Sequence, residues 1–308
     1  MNPLISVVIP VYNGSNFMAQ AIDSALAQTY KNVEVVVVND GSRDGGRTDA
    51  IARSYGGRIR YFSQPNGGCG SALNLGVANM RGEYFSWLSH DDVYYPDKLR
   101  IQVDWMRAND RWDDVLYGDF DVIGPDGKIR ETVRMRPVEP RYFRAENMIT
   151  GFLHGCAMLV PAKCFGGKPP FNPSLRTTQD YDLWLRLAKT WRFSRVPGVF
   201  IQAREHPDRA SMKAYDRREV DDLCAAFLAD MPDSEVEGFR GWSASRYFKS
   251  LGALYALRKL PRASALAYER GGGRLGPRDA AVYAWLAGKA ANKVLGLLRR
   301  PASAPLRS

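Results

Sequence analysis

The sequence predicts an α/β protein, a mainly parallel sheet flanked by helices and followed by a helical C-terminal appendage. Three observations carry this prediction: unbroken apolar runs of strand length recur in the first hundred residues, segments of helical period separate them, and each run ends in a polar cluster. Repeated βα units of this kind pack as a parallel sheet with right-handed crossovers.

The first run, Leu4-Ile5-Ser6-Val7-Val8-Ile9, stops at Pro10 and continues as Val11-Tyr12-Asn13-Gly14. A helix follows, capped by Ser15 or Asn16, with Met18, Ala21, Ile22, Ala25 and Leu26 at helical spacing. The run from Val33 to Val38 does not alternate, which marks a strand buried on both faces, and it ends in Asn39-Asp40-Gly41-Ser42. A third strand, Arg58 to Ser63, leads into Asn66-Gly67-Gly68-Cys69-Gly70 and a returning helix. These glycines match neither a P-loop nor a dinucleotide fingerprint and read as a tight turn before a helix. The fourth strand, Glu83 to Leu88, ends on Ser89-His90-Asp91-Asp92. Further on, Val115 to Ile129 reads as a hairpin turning at Pro125-Asp126-Gly127-Lys128, and His154 to Pro161 reads as a strand. From Thr178 a helix places Tyr181, Trp184, Leu185 and Ala188 on one face and Asp180 in its first turn.

Asp91 and Asp92 emerge where such a sheet opens to solvent. Adjacent carboxylates repel unless a cation or a donor-rich loop compensates, and oxygen ligation suits Mg²⁺ or Mn²⁺. A solvated turn or a helix cap accounts for the pair equally well. Asp180 alone reads as a helix-dipole partner worth about 0.3–1 kcal/mol. The three histidines, His90, His154 and His206, all fall at strand ends or loops, which suits a site.

A chain of 308 residues at 45% hydrophobic content can bury one large core or a core plus an appendage. Met1-Asn2-Pro3 runs straight into a strand, so no signal peptide is expected. Cys69, Cys156, Cys164 and Cys224 show no zinc or redox spacing and are expected as reduced thiols of a cytoplasmic protein. The net charge of +10 is unevenly spread, because residues 240–308 hold 14 Lys and Arg against two acids, leaving −2 on the rest. That basic region reads as three helices, Arg246 to Lys259, Ala263 to Arg270, and Pro277 to Leu298. Lys289 and Lys293 interrupt the last apolar stripe, so it does not span a bilayer. It could lie on one, gaining about 1 kcal/mol per cation near anionic lipid, or pack on the remainder of the chain. With no nucleic-acid motif beside the charge, a nucleic-acid partner is not expected.

Taken together, several segments are similar to the family 2 glycosyltransferases. They are Ile9-Pro10-Val11-Tyr12-Asn13, Ala21 to Tyr30, Val38 to Asp44, Arg81-Gly82-Glu83-Tyr84, Ser89-His90-Asp91-Asp92 and Gln179-Asp180-Tyr181-Asp182-Leu183-Trp184. The resemblance covers about residues 4–210 and implies a GT-A-type fold with a mixed, mainly parallel sheet. It implies a catalytic region over 1–210, divided into a nucleotide-sugar-binding half (1–100) and an acceptor-binding half (101–210), followed by the helical basic region 211–308. It puts Pro10, Val11, Tyr12, Asn13, Asp40, Ser42, Gly68, Asn74 and Asp91 at the donor. It makes Asp92, Asp91 and His206 the ligands of a divalent cation (Mn²⁺ or Mg²⁺), and Asp180 the general base. His154, Gly155, Gln179, Tyr181 and Trp184 would face the acceptor. Ser89 and Gln179 stand where the family often has acids, and Leu73 where an arginine is common ahead of Asn74.

The resemblance implies a single displacement that inverts the anomeric centre, moving a sugar from a UDP-sugar first, or a dTDP- or GDP-sugar, to a saccharide or lipid-linked hydroxyl. Bacterial surface polysaccharide or glycolipid synthesis, at the inner face of the cytoplasmic membrane, is the setting it suggests. A sugar-phosphate nucleotidyltransferase shares the sheet and metal, but its glycine- and arginine-bearing opening loop is missing at Pro10 to Ser15. A non-catalytic carbohydrate- or membrane-binding relative is the other alternative.

Overall fold

In the computed structural model, which describes residues 1–151, 153–207 and 216–276, the first apolar run becomes strand β1 (Ile5–Val11), buried at every position. Each large aliphatic side chain so buried contributes about 1.5–3 kcal/mol. Helix α1 (Met18–Leu26) returns the chain to β2 (Val33–Asp40), α2 (Arg47–Ser54) to β3 (Arg60–Gln64), and α3 (Cys69–Asn79) to β4 (Tyr84–Trp87). Strands β1 to β4 lie parallel in the order β3-β2-β1-β4, with Ile5 opposite both Val33 and Tyr84. The chain steps outward from β1 through β2 to β3, then crosses to the other side for β4. The order therefore reverses between β1 and β4, and their carboxyl ends flank the crevice where open α/β sheets hold ligands.

The expected strand from His154 to Pro161 is only partly formed. His154 instead caps a 3₁₀ turn, Gly155–Ala157, and just Val160–Pro161 (β8) pairs antiparallel with β4. The cause is local: the Ala157 N–H donates to the His154 carbonyl at 2.9 Å and the Met158 N–H to the Gly155 carbonyl at 3.2 Å, which closes the backbone into a turn, and the Cys156 N–H contact to His154 Nδ1 at 3.4 Å adds weakly. The cap expected for α1 also differs. Neither Ser15 nor Asn16 caps it; the Gly14 carbonyl accepts the first N–H groups, those of Phe17 and Met18.

A second sheet runs β5 (Val93–Tyr94), β9 (Phe193–Arg204), β6 (Val115–Ile123), β7 (Ile129–Val133). Strands β6 and β7 form the expected hairpin, and Gly127 takes the left-handed φ of +78° that its turn requires. Helices α4 (Lys98–Asn109), α5 (Phe143–Thr150) and α6 (Gln179–Leu187) complete this part.

The chain divides into two compact units, Met1–Leu223 and Cys224–Ser308, at a point inside helix α7 (Arg217–Ala229). In the second unit, α8 (Ala244–Leu257) and α9 (Pro261–Gly271) form a helical hairpin, each starting slightly before the sequence-based bounds. A Cβ on Gly252 would meet the Tyr268 ring at 2.7 Å, and Ser264 Oγ donates to the Gly252 carbonyl at 2.8 Å, so glycine sets the interhelical approach. The helix expected over 277–298 lies outside the described residues. Among the described residues no helix is long and apolar enough to cross a membrane.

Candidate active site

Beside the crevice between β1 and β4, Tyr12 follows the wholly buried strand and is itself 43% exposed. Pro10 and Val11 are buried within β1, so their part is to hold Tyr12 in place. Asn13 sits at φ +51°, donates its N–H to Ser42 Oγ at 2.9 Å, and accepts the Arg43 N–H on its Oδ1 at 2.7 Å. The loops after β1 and β2 are thereby tied together.

Asp40 is buried at the end of β2, where its carboxylate accepts the N–H groups of Gly67 (2.9 Å) and Gly68 (2.8 Å) and the Gln64 amide (2.7 Å). Gly68 takes φ +86° as it opens α3, so this aspartate fixes the glycine turn read from the sequence. Asn74 departs from expectation. Its amide brackets Phe171, donating to that carbonyl at 2.8 Å and accepting that N–H at 3.0 Å, so both ends of the group expected at a donor serve the framework.

The acid pair follows β4 and is buried. Asp92 Oδ1 accepts the Arg204 N–H at 2.9 Å, and Asp91 Oδ2 shares a hydrogen bond with His206 Nε2 at 2.9 Å. Arg204 is the residue the sequence reading undervalued. Its guanidinium donates to the Asp91 carbonyl (3.0 Å), the Pro125 carbonyl (3.2 Å) and Gln20 Oε1 (2.8 Å), and stacks 4.4 Å from the centroid of the Phe17 ring. One arginine at the end of β9 thus binds the acid-bearing loop to α1 and to the hairpin turn. Beneath the loop, buried Lys98 donates to Ser86 Oγ (2.8 Å) and the Met158 carbonyl (3.2 Å), and burial lowers its pKa to about 7.

Asp180 stands in the first turn of α6, with its Oδ1 accepting the Tyr181 N–H at 2.8 Å. Burial raises its pKa to about 6, against the lowering pull of that hydrogen bond. The turn is held from α7. Glu219 accepts the N–H groups of Arg176, Thr177 and Thr178 at 2.7, 2.9 and 2.8 Å and both threonine hydroxyls. Burial would raise the Glu219 pKa, but these donors bring it below the usual carboxylate value. No sequence motif marks Glu219; only the three consecutive N–H groups ahead of α6 signal that something must satisfy them.

The acceptor-side residues divide. His154 lies 3.9 Å from Asp92, with its Nε2 toward Oδ2. Gln179 is buried, and its Oε1 finds no hydrogen-bond partner among the described residues. The Tyr181 hydroxyl donates to the Gly151 carbonyl. Gly155 has the Trp87 ring 2.4 Å from where a Cβ would stand, a close approach that only glycine permits. Trp184 differs from expectation: it has no exposed surface and belongs to the hydrophobic core, because its helix face turns inward.

These groups converge. Cys69, opening α3, has its thiol pushed up to about 12, first by burial, then by the charges of Asp180 and Asp40, with Asp91 contributing too. A Cβ on Gly70 would lie 3.5 Å from Gln179 Cβ, so α6 begins directly against the start of α3. Acids from β2, β4 and α6 therefore surround one region at the sheet's reversal point.

A family model described as Glycosyl transferase family 2 matches residues 6–165. An uncharacterized glycosyltransferase of Rickettsia felis is 45% identical over 238 residues, 76% of this chain and 40% of that protein, so the chain spans well under half the length of that relative. Chondroitin synthase of Pasteurella multocida is 29% identical over 219 residues, covering 70% of this chain and 22% of that protein. Among solved structures, S. aureus TarS 1–349 in complex with UDP-GlcNAc superposes with TM-score 0.63 at 17% identity over 88% of this chain and 92% of that one. The mannosyltransferase PcManGT from Pyrobaculum calidifontis, in complex with GDP-Man and Mn²⁺, gives TM-score 0.51 at 19% identity over 94% and 81%. The fold is of the GT-A type. Placed beside the aspartate pair after β4 and the partly buried aspartate opening α6, these matches establish that the chain belongs to glycosyl transferase family 2.

Proposed function

We propose that the chain moves a sugar from a nucleotide-sugar, a UDP-sugar first, to an acceptor hydroxyl with inversion of the anomeric centre. The observation that carries this reading is Asp180. It is a carboxylate with a pKa raised to about 6, near the region bordered by Asp40 and Asp91, and a general base works best when its pKa lies close to the working pH. In this reading residues 1–100 hold the donor and 101–210 the acceptor, with 211–308 a helical basic region.

The exposed Tyr12 ring offers a face for the nucleobase, and Asn13 and Ser42, already tied to each other, present polar groups beside it. Asp91 and Asp92 would supply the carboxylate oxygens that suit Mn²⁺ or Mg²⁺, with His206, whose Nε2 is bonded to Asp91 Oδ2, as the third group at the site. When bound, such an ion offsets the charge that builds on the departing diphosphate. The protein's own part is to fix those acids through Arg204 and to take the acceptor hydroxyl's proton on Asp180. A carboxylate in that role contributes a factor of about 10²–10⁴. One base and no required protein nucleophile make one displacement, hence inversion. TarS and PcManGT, whose titles name UDP-GlcNAc and GDP-Man with Mn²⁺, support a nucleotide-sugar and a divalent ion. The chondroitin synthase similarity and the basic tail support a polysaccharide or lipid-linked acceptor at the inner face of a bacterial membrane.

The test is a thermal-shift screen of UDP-, dTDP- and GDP-sugars with and without Mn²⁺, because a ligand stabilises the native state in proportion to its occupancy. One nucleotide-sugar should raise Tm more with Mn²⁺ than without it, and Asp92→Ala should abolish the Mn²⁺-dependent part of the rise. No Tm change with any donor would refute the reading.

A further inference from the structure

The turn between His154 and Met158 places a second kind of metal-binding atom against Asp92. One ligand atom each from Asp92, His154 and Cys156 lie within 4.8 Å of one another, and Asp92 Oδ2 is 3.9 Å from His154 Nε2. Asp92 and Cys156 are buried, and His154 is partly open to solvent, so an ion has a route in. The turn is held firmly: Lys98 donates to the Met158 carbonyl and Gln102 to the Ala157 carbonyl at 3.1 Å. Bonds of about 2.0–2.3 Å from a tetrahedral ion place ligand atoms about 3.5 Å apart, so side-chain movements of about 1 Å close all three onto one ion. Carboxylate, imidazole and thiolate together are ligands of zinc; Mn²⁺ and Mg²⁺ favour oxygen.

We infer that Asp92, His154 and Cys156 form a site for a thiophilic divalent cation of the zinc class, with an open fourth position. Cys156 gives its proton to solvent as the metal–sulfur bond forms. His154 binds through Nε2 with its proton on Nδ1, which gives up the Cys156 N–H contact at 3.4 Å, a long and weak one. Such an ion takes Asp92 from the donor-binding cation, a consequence that rests on the transferase reading. The site itself does not.

Co²⁺ is the probe, titrated into chelator-treated full-length protein and followed by absorbance. The expected result is a saturable sulfur-to-cobalt charge-transfer band with visible bands of a four-coordinate ion. Equimolar Zn²⁺ should displace it, and excess Mn²⁺ should not. Cys156→Ser should abolish the charge-transfer band, and His154→Gln should weaken binding by more than about tenfold, the scale on which even outer-shell partners act. No band in the wild-type protein, or a band that survives Cys156→Ser, overturns the site. Should Cys156→Ser fail to fold, His154→Gln decides, since unchanged affinity and visible bands in that variant also overturn it. A Co²⁺ site with these properties that leaves UDP affinity unaltered would uphold the cation site while counting against Asp92 as the donor-metal ligand.

Discussion

Replacing Asp180 by Asn tests the proposed chemistry and the electrostatics at once. Burial lifts this carboxyl from 3.8 to about 6, and each pKa unit corresponds to 1.36 kcal/mol. The sign is that of a disfavoured charge. Well below pH 3.8 the group is neutral folded and unfolded, and as pH rises from there past the folded value the native state loses about 3 kcal/mol relative to that limit. Asparagine carries no charge and still accepts the Tyr181 N–H, so Asp180→Asn should be as stable as the wild type or more so at pH 7.5, by up to several degrees in Tm. Its turnover should fall by about 10²–10⁴ while nucleotide binding is kept. In the wild-type protein the acid limb of kcat/KM should have its midpoint near pH 6, because the base must be ionised. Release of nucleoside diphosphate, coupled to an optical readout across pH 4.5–8.5, supplies both measurements. Near-normal turnover in the variant would remove Asp180 from the mechanism, and an acid limb near pH 4 would refute the burial argument.

Other outcomes follow from single contacts. Glu219→Ala strips five hydrogen bonds from the turn ahead of α6 and should cost about 3 kcal/mol in a urea melt, with kcat lowered more than KM is raised; Glu219→Gln should recover part of both. Arg204→Lys cannot reproduce a guanidinium bonded to three elements, so Mn²⁺-dependent donor binding should weaken about tenfold or more by calorimetry, with little change in metal-free nucleotide affinity. Gly155→Ala drives a methyl into the Trp87 ring and should destabilise by about 1–3 kcal/mol; an unchanged Tm would show that the turn has slack. Anionic liposomes should sediment the full chain and not a chain ended near residue 240, if the basic region anchors it.

Much of the sheet was legible because fully buried strands need unbroken apolar runs, as in Val7-Val8-Ile9 and Val35 to Val38. The position of the acid pair at the end of β4 was legible from the strand that precedes it, but its role was not, because a solvated turn or a helix cap explains two such charges equally well. The turn at His154 was not, since its residues are as apolar as a strand and the backbone bonds that bend it, Ala157 N–H to His154 and Met158 N–H to Gly155, leave no side-chain pattern. Asn74 looked like a donor contact and is a strut, because an amide that pairs with backbone leaves no pattern in sequence. Trp184 shares a helix face with Asp180 but lies wholly in the core, because sequence spacing gives direction around a helix and not the depth at which each side chain sits. Glu219 and Arg204 were least visible, since each acts on residues far away in the chain.

The five bonds from Glu219 bear on how the protein may be dissected. A fragment trimmed at residue 210, the end of the catalytic region read from the sequence, would retain the whole span of the family model and still discard the carboxylate of Glu219 that pins the turn ahead of Asp180. Such a piece should fold its sheet, bind nucleotide, and have little turnover, so minimal versions of this protein should keep all of α7.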